Sequence, residues 1–202
     1  SEIYIIELLN REAKKQDKIH KIILMIDLGD LREGILPEDV KNYIEKIIPM
    51  ENIKLEGIGV NLSCYGGIIP SLENLGQLEE ISIWIEKNYN IKLNIISGGN
   101  SSSLDLLLKK TIPSKINNLR LGESLIFGRE TAYGKDLEGC FYDSVRLEAE
   151  IIELKEKESC PVGEIGFNAF GKKPIFVDRG IRKRAILAIG EQDVDHSDLR
   201  VV

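Results

Sequence analysis

The sequence predicts an α/β fold, a parallel sheet flanked by helices, followed by a smaller and mainly antiparallel β part. Three observations predict it. Apolar runs beginning near residues 21, 53, 91 and 116 are each followed by a loop and a helical stretch. That is the rhythm of repeated βα units, which build parallel strands. Beyond about Thr131 the rhythm changes. Residues 145–155 (VRLEAEIIELK) alternate and are rich in branched side chains, and glycines at 163, 166, 171, 180 and 190 punctuate the remainder, the pattern of strands joined by turns. Finally, two small-residue turns, SGGNSSS at 97–103 and RLGES at 120–124, each follow the end of an apolar run.

Each element has its own signal. Residues 2–15 carry Tyr4, Ile5, Leu8, Leu9 and Ala13 as one stripe of an amphipathic helix. Residues 21–28 (KIILMIDL) read as a buried strand that stops at Gly29. Pro37, Glu38 and Asp39 open the next helix, as proline and early acids favour, with Val40, Tyr43, Ile44, Ile47 and Ile48 on its apolar face. Residues 53–62 (IKLEGIGVNL) form the second strand. Residues 71–88 are the longest helix, with Leu72, Leu75, Leu78, Ile81, Trp84 and Ile85 inward. Residues 91–96 and 116–121 are the third and fourth strands, with a short helix around 104–108 between them. Residues 145–155 and 185–189 are strands of the β part. The boundary falls between Gly128 and Asp143, giving an α/β part at 1–131 and a β part at 132–202. The α/β pattern alone suits a barrel or an open doubly wound sheet.

Composition narrows the function. The chain is 43% hydrophobic and 30% charged, as in a soluble globular protein. No apolar run reaches membrane-spanning length and no basic-then-apolar leader opens the chain. A net charge of −6 argues against a nucleic-acid partner, which demands a concentrated basic surface. The cluster Arg179, Arg182, Lys183 and Arg184 reads as a solvated strand end or a subunit contact. Cys64, Cys140 and Cys160 are scattered, which fits a reducing cytoplasm and neither a disulfide framework nor a zinc site. The two histidines, His20 and His196, lie in no nucleophile or metal motif, against a histidine-dependent hydrolase.

The two turns carry the chemistry. A strand, a glycine turn and a helix start aim unpaired N–H groups and short hydroxyls outward, the arrangement that holds a phosphate. Arg120 adds a fixed cation to the second turn. Alone, each turn is an ordinary βα loop; together they suggest one phosphate-bearing cofactor held between successive strand ends.

The strings IDLGDLREG, EGIGVNLSCYGG, SGGNSSSL, RLGESLIFGRE, RLEAEIIELKEK, GEIGFNAFGKKP and DRGIRKRAILAIGEQDVD run over essentially the whole chain. They resemble the alanine racemase family of fold-type III pyridoxal-phosphate enzymes, most nearly its ornithine racemase branch. The resemblance implies that the α/β part is the C-terminal half of a (β/α)₈ barrel of the TIM type, followed by part of a small, mainly antiparallel β domain. Four βα units are half of such a barrel, so the chain reads as an interior piece of a longer one. The implied cofactor is pyridoxal 5'-phosphate. The implied activity is interconversion of L- and D-amino acids by exchange of the Cα proton, with ornithine as substrate. A cytoplasmic head-to-tail homodimer is implied as well, each β domain helping to close the partner's active site.

Residue by residue, the resemblance places Arg120 against the pyridine nitrogen of the cofactor. It places Asn100 and Ser101 on the phosphate loop, with the amides of Gly122 and Glu123 on the same phosphate, and Arg32 near the phenolic oxygen and the substrate carboxylate. Asn61 stands where alanine racemases have a histidine beneath the ring, and Met25 where many have a carbamylated lysine. The catalytic pair is the larger departure. The Schiff-base lysine belongs to the end of the first barrel strand, which this chain does not include, and Lys21 and Lys54 lie at strand starts. The second base is a tyrosine in the family and aligns with Phe167, which takes no proton; Cys160, Tyr142 and Asp193 stay open as substitutes. Glu164 and Asp195, the acids available to read a substrate amine, read as solvated charges. By itself this chain is thus expected to bind cofactor weakly at most and to catalyse nothing. Other readings are a non-catalytic pyridoxal-phosphate homeostasis protein, which would end with the barrel, an alanine racemase, and a phosphosugar- or nucleotide-binding α/β enzyme.

Overall fold

A computed structural model describes residues 2–190 and 192–194, in two compact units, Ser1–Val145 and Arg146–Val202. In the first unit the elements run α1 (Ile3–Lys15), β1 (His20–Met25), α2 (Val40–Ile47), β2 (Ile53–Gly59), α3 (Leu72–Tyr89), β3 (Ile95–Asn100), α4 (Leu104–Leu108), β4 (Asn118–Arg120) and α5 (Glu123–Phe127). Its four strands lie side by side in chain order, every pair parallel. A doubly wound sheet reverses its strand order part-way across. This one never does, so it is singly wound in the barrel manner, four consecutive units of a TIM-type (β/α) barrel.

The core lies between the sheet and the helices. Leu24, Ile26, Ile58, Val60, Leu62 and Ile96 from the strands and their ends pack on Ile44 and Ile47 of α2, on Leu75, Leu78 and Ile85 of α3, and on Ile6 of α1. The α3 helix is defined at both ends by local chemistry. Ser71 Oγ accepts from Asn74 N at 3.2 Å while Asn74 Oδ1 accepts from Ser71 N at 2.9 Å, a reciprocal cap. Asn90, with φ of 50°, ends it in the left-handed region. Among the described residues no helix is long and apolar enough to cross a membrane.

The predicted apolar faces are broader than the buried ones, and at the end of α2 Ile48 is exposed. In α1 the buried residues are Ile6 and Ala13, with Leu9 packed beside them, whereas Tyr4, Ile5 and Leu8 are exposed. In α3 Leu72 and Trp84 lie toward solvent. Both helices have more apolar residues than one buried stripe holds, so counting them overstated its width.

The third strand is displaced from its predicted span. It runs over Ile95–Asn100, so Gly98 and Gly99 lie inside it and not beyond its end. The reason is the approach of the next segment. A Cβ at Gly98 would stand 2.5 Å from Ile116 Cγ2, and Gly99 holds φ of +105°, so both positions require glycine. Residues 91–93 are a loop pinned by Leu93 N donating to Glu86 Oε1 at 3.0 Å.

The β1–β2 ladder contains one irregularity with a purpose. Ile22 pairs with Leu55 and Ile23 with Gly57, so Glu56 is the skipped residue of a bulge. Its carboxylate gathers Lys54 at 2.9 Å, Lys21 at 3.2 Å and Asn94 Nδ2 at 3.1 Å. The Lys54 contact first, then those to Lys21 and Asn94, overcome the cost of desolvation and push the Glu56 pKa down to about 2. This cluster ties the starts of three strands together, at the end of the sheet opposite the glycine-serine turns.

The second unit is a ribbon of β5 (Ile151–Glu158) antiparallel to β6 (Ile181–Leu187), paired from Ile151↔Leu187 to Glu158↔Ile181. The expected antiparallel β part is present, with both strands displaced from their predicted spans. Of the basic cluster read as a strand end or a subunit contact, Arg182, Lys183 and Arg184 lie within β6 and Arg179 precedes it; Lys183 faces Glu156 across the ladder and Arg182 faces Lys157. On an exposed ribbon such side chains are solvated; the Lys183–Glu156 pair favours the ladder, and solvent screens the like-charged Arg182–Lys157 pair that works against it.

Candidate cofactor site at the strand ends

Because all four strands are parallel, the loops after β1, β2, β3 and β4 leave the same end of the sheet. The structure brings Asn61, Asn100, Ser101, Arg120, Gly122 and Ser124 together there. Asn100 closes β3 with every polar atom of its side chain in use. Its Oδ1 accepts from Ser102 N at 2.8 Å and from Ser102 Oγ at 2.7 Å, and its Nδ2 donates to Asn61 Oδ1 at 2.7 Å and to Leu62 O at 2.8 Å. The Asn61 side chain, buried at the end of β2, is thereby fixed in orientation. One amide thus joins the β2 and β3 ends.

Ser101 joins the β3 and β4 ends. Its buried hydroxyl accepts from Ser124 N at 3.2 Å and Gly122 N at 3.4 Å, and donates to Ser124 Oγ at 3.0 Å. Two amides from the RLGES turn and two hydroxyls therefore converge on one point. A Cβ at Gly122 would meet nothing within 4 Å, so the turn is open on its outer side. Glu123 begins α5 with an exposed side chain. Ser124 was not singled out by the sequence; its signal was a second hydroxyl beside the glycine turn.

Arg120 ends β4 with its guanidinium held from below. Nη1 donates to Ser97 Oγ and Nη2 to Val60 O at 3.0 Å, while Ser97 Oγ donates to Asn118 Oδ1 at 2.7 Å. Desolvation pulls the Arg120 pKa down, the Glu33 carboxylate draws it back up, and the positive Arg32 lowers it. Arg32 and Glu33, from the loop after β1, thus lie within electrostatic reach of Arg120. They form an ion pair of their own at 3.1 Å. Ser97 and Val60 O were missed for want of a local signal, because a carbonyl and a buried serine acquire such roles only when strands are paired.

A further residue of this rim escaped the sequence reading. Asp30 is 1% exposed and accepts from Tyr65 N at 2.9 Å, Ile68 N at 3.1 Å and Cys64 N at 3.2 Å. Burial works against its charge, but the amides of Ile68, Tyr65, Cys64 and Gly66 outweigh it and hold the carboxyl below the usual range.

The other sequence candidates fall elsewhere. Lys21 and Lys54 are committed to Glu56 at the far end of the strands. The Tyr142 hydroxyl donates to Leu137 O at 2.8 Å. In the second unit Phe167 is exposed, Cys160 is half-buried, and Asp193 Oδ2 accepts from Gly190 N at 3.1 Å. Asp195 and His196 lie outside the described residues.

Known proteins resemble this chain in sequence and fold. The family "Alanine racemase, N-terminal domain" matches residues 2–130. The chain is 54% identical over 200 residues to ornithine racemase of Acetoanaerobium sticklandii, covering 98% of this chain and 57% of that protein. It is 45% identical over 191 residues to lysine racemase of Thermotoga maritima, covering 95% of this chain and 52% of that one. It therefore spans a little over half the length of these curated relatives. The crystal structure of alanine racemase from Bartonella henselae with covalently bound pyridoxal phosphate matches at a TM-score of 0.52 and 15% identity, over 93% of this chain and 47% of that one, a likeness of fold. From its singly wound sheet, its serine-lined strand ends and the match across residues 2–130, the chain belongs to the alanine racemase family.

Proposed function

We propose that this chain is the cofactor-holding part of a pyridoxal-phosphate-dependent racemase that interconverts L- and D-ornithine. The observation that carries the reading is the convergence of Ser101 Oγ, Ser124 Oγ and the amides of Gly122 and Ser124 at adjacent strand ends. The two amides donate to Ser101 Oγ and the Ser101 hydroxyl to Ser124 Oγ; turned to a phosphate, the same groups would donate to its oxygens, and Arg120 stands beside them on the strand that leads into the turn. The substrate assignment rests on the relatives, which act on ornithine and on lysine. Both are amino acids with a second amine.

Each residue has a task in this reading. Ser101 and the amides of Gly122 and Glu123 bind the phosphate, with Ser124 completing the cradle. Asn100 binds through the geometry it imposes, holding the turn at Ser102 and the Asn61 amide beneath the ring. Arg120, its two nitrogens anchored on Ser97 and Val60, presents its remaining N–H groups to the ring nitrogen. A guanidinium keeps its proton at any working pH, so it donates a hydrogen bond without protonating the ring. When bound, pyridoxal phosphate supplies the electron-withdrawing system that acidifies the substrate Cα–H. Restricting that withdrawal at Arg120 favours return of the proton to Cα, hence racemisation over transamination. Arg32, on the exposed loop, receives the substrate carboxylate.

In this reading residues 1–131 hold the cofactor, residues 132–145 pack with them in the first unit, and the remaining β part closes the partner's site in a cytoplasmic head-to-tail homodimer. The experiment is titration of the protein carrying this chain with pyridoxal phosphate, followed by incubation with L-ornithine in heavy water. Bound cofactor with D-ornithine deuterated at Cα is the expected result. Bound cofactor without exchange marks a carrier protein, and no binding of the cofactor marks a phosphosugar enzyme.

A further inference from the structure

We propose that Asp30 is a positioning residue for substrate binding, latching the loop of residues 63–68 onto the loop of residues 27–34 so that Arg32 is held in place beside the end of β2. The inference rests on the reading above that Arg32 receives the substrate carboxylate.

The two loops leave neighbouring strands and are joined at a single buried residue. Asp30 Oδ2 accepts from Tyr65 N and Cys64 N, Oδ1 accepts from Ile68 N, and the Asp30 carbonyl accepts from Gly66 N at 2.9 Å. Four amides of one loop thus point at one residue of the other. The 63–68 loop is closed at its base by Ser63, whose N–H and hydroxyl both donate to Ile68 O, at 2.9 and 3.0 Å. The 27–34 loop is closed at its base by Ile35 N donating to Met25 O and Asp27 N donating to Ile35 O, both 2.9 Å. Within it Asp27 Oδ1 accepts from Gly29 N and Leu31 N, and Leu31 holds a positive φ of 57°.

Leu31, immediately before Arg32, therefore sits in a conformation that a branched residue adopts only when its surroundings enforce it. Asp27 Oδ1 holds the Leu31 amide, and Asp30, two residues before Arg32, ties the same turn to the neighbouring loop. On the other side of the seam, the loop it holds begins two residues after Asn61. The latch contacts neither Ser101 nor Gly122, so its role separates from phosphate binding.

The chemistry of the latch makes a sharp test. Every partner of the Asp30 carboxylate named above is an N–H donor. A carboxylate only accepts, whereas the amide of Asp30→Asn has one acceptor oxygen and an NH2 that faces donors in either orientation. In the protein carrying this chain, Asp30→Asn should raise hydrogen exchange at the amides of Cys64, Tyr65 and Ile68 about ten-fold or more, leaving Ile58 and Ile96 in the sheet unchanged. KM for L-ornithine should rise about ten-fold while kcat and the dissociation constant for pyridoxal phosphate each stay within about three-fold. Gly66→Ala opens the seam from the other side, since its Cβ would fall 2.7 Å from Asp30 O. It should show the same split, and it carries the test if Asp30→Asn does not fold. Loosened amides with an unchanged KM overturn the proposal, as does a joint loss of kcat and cofactor affinity. A wild-type protein that binds the cofactor and racemises no diamino acid instead sinks the functional reading, and the substrate half of this inference with it, while the exchange pattern stands.

Discussion

Ser101 and Ser124, twenty-three residues apart in the chain, meet hydroxyl to hydroxyl at 3.0 Å where β3 and β4 end. Both side chains are almost fully buried, and Ser101 is the acceptor for two amides of the neighbouring turn. The contact joins two separate turns at one point.

Ser101→Ala should therefore weaken pyridoxal-phosphate binding about ten-fold, the value of one hydrogen bond to a charged group. It deletes a donor to the phosphate and leaves the amides of Gly122 and Ser124 without their present acceptor. Ser124→Ala should cost about three-fold, because its backbone amide is retained. Absorbance titration with the cofactor measures both.

Arg120→Lys should reduce racemisation of ornithine by about ten- to a hundred-fold while changing cofactor affinity less than about three-fold. A single ammonium cannot span Ser97 Oγ and Val60 O and still present planar N–H groups outward. Initial rates of D-ornithine formation, set beside cofactor titrations, check the split.

Acid should act at the opposite end of the strands as well. Glu56 is held at about 2 in the folded state against an ordinary 4.5. Its stabilisation is complete above the unfolded value and is lost as pH falls through that interval toward 2. The thermal midpoint followed by circular dichroism should drop across the same window. Glu56→Gln should flatten that part of the profile by removing the titrating group.

Ile58→Ala should destabilise the first unit by about 3 kcal/mol. Ile58 is 0% exposed and lies between Leu24 on β1 and Ile96 on β3 in the ladder. Urea unfolding monitored by circular dichroism measures the change, with the m-value unaltered.

The sequence displayed what depends on local periodicity and hid what depends on pairing. The α1, α2 and α3 helices and the cores of β1 and β2 were legible because apolar spacing and caps are local. The glycine-serine turns were legible because few residues suit a tight turn at a strand end. The register of β3 was not, since whether Gly98 and Gly99 end a strand or continue it depends on where Ile116 lands, eighteen residues on. Asp30 and Ser97 escaped for the same reason. A buried aspartate is conspicuous only once loop amides thirty-four to thirty-eight residues away have closed around it.

The bulge at Glu56 stands five residues before Asn61 on the same segment, about 16 Å away for extended chain. The ion-paired cluster and the serine-lined turns thus lie at opposite ends of the strands, and changes at such separations combine nearly independently. Substitutions at Lys21, Lys54 and Asn94 that alter tolerance of heat or acid should therefore leave the Arg32 loop undisturbed.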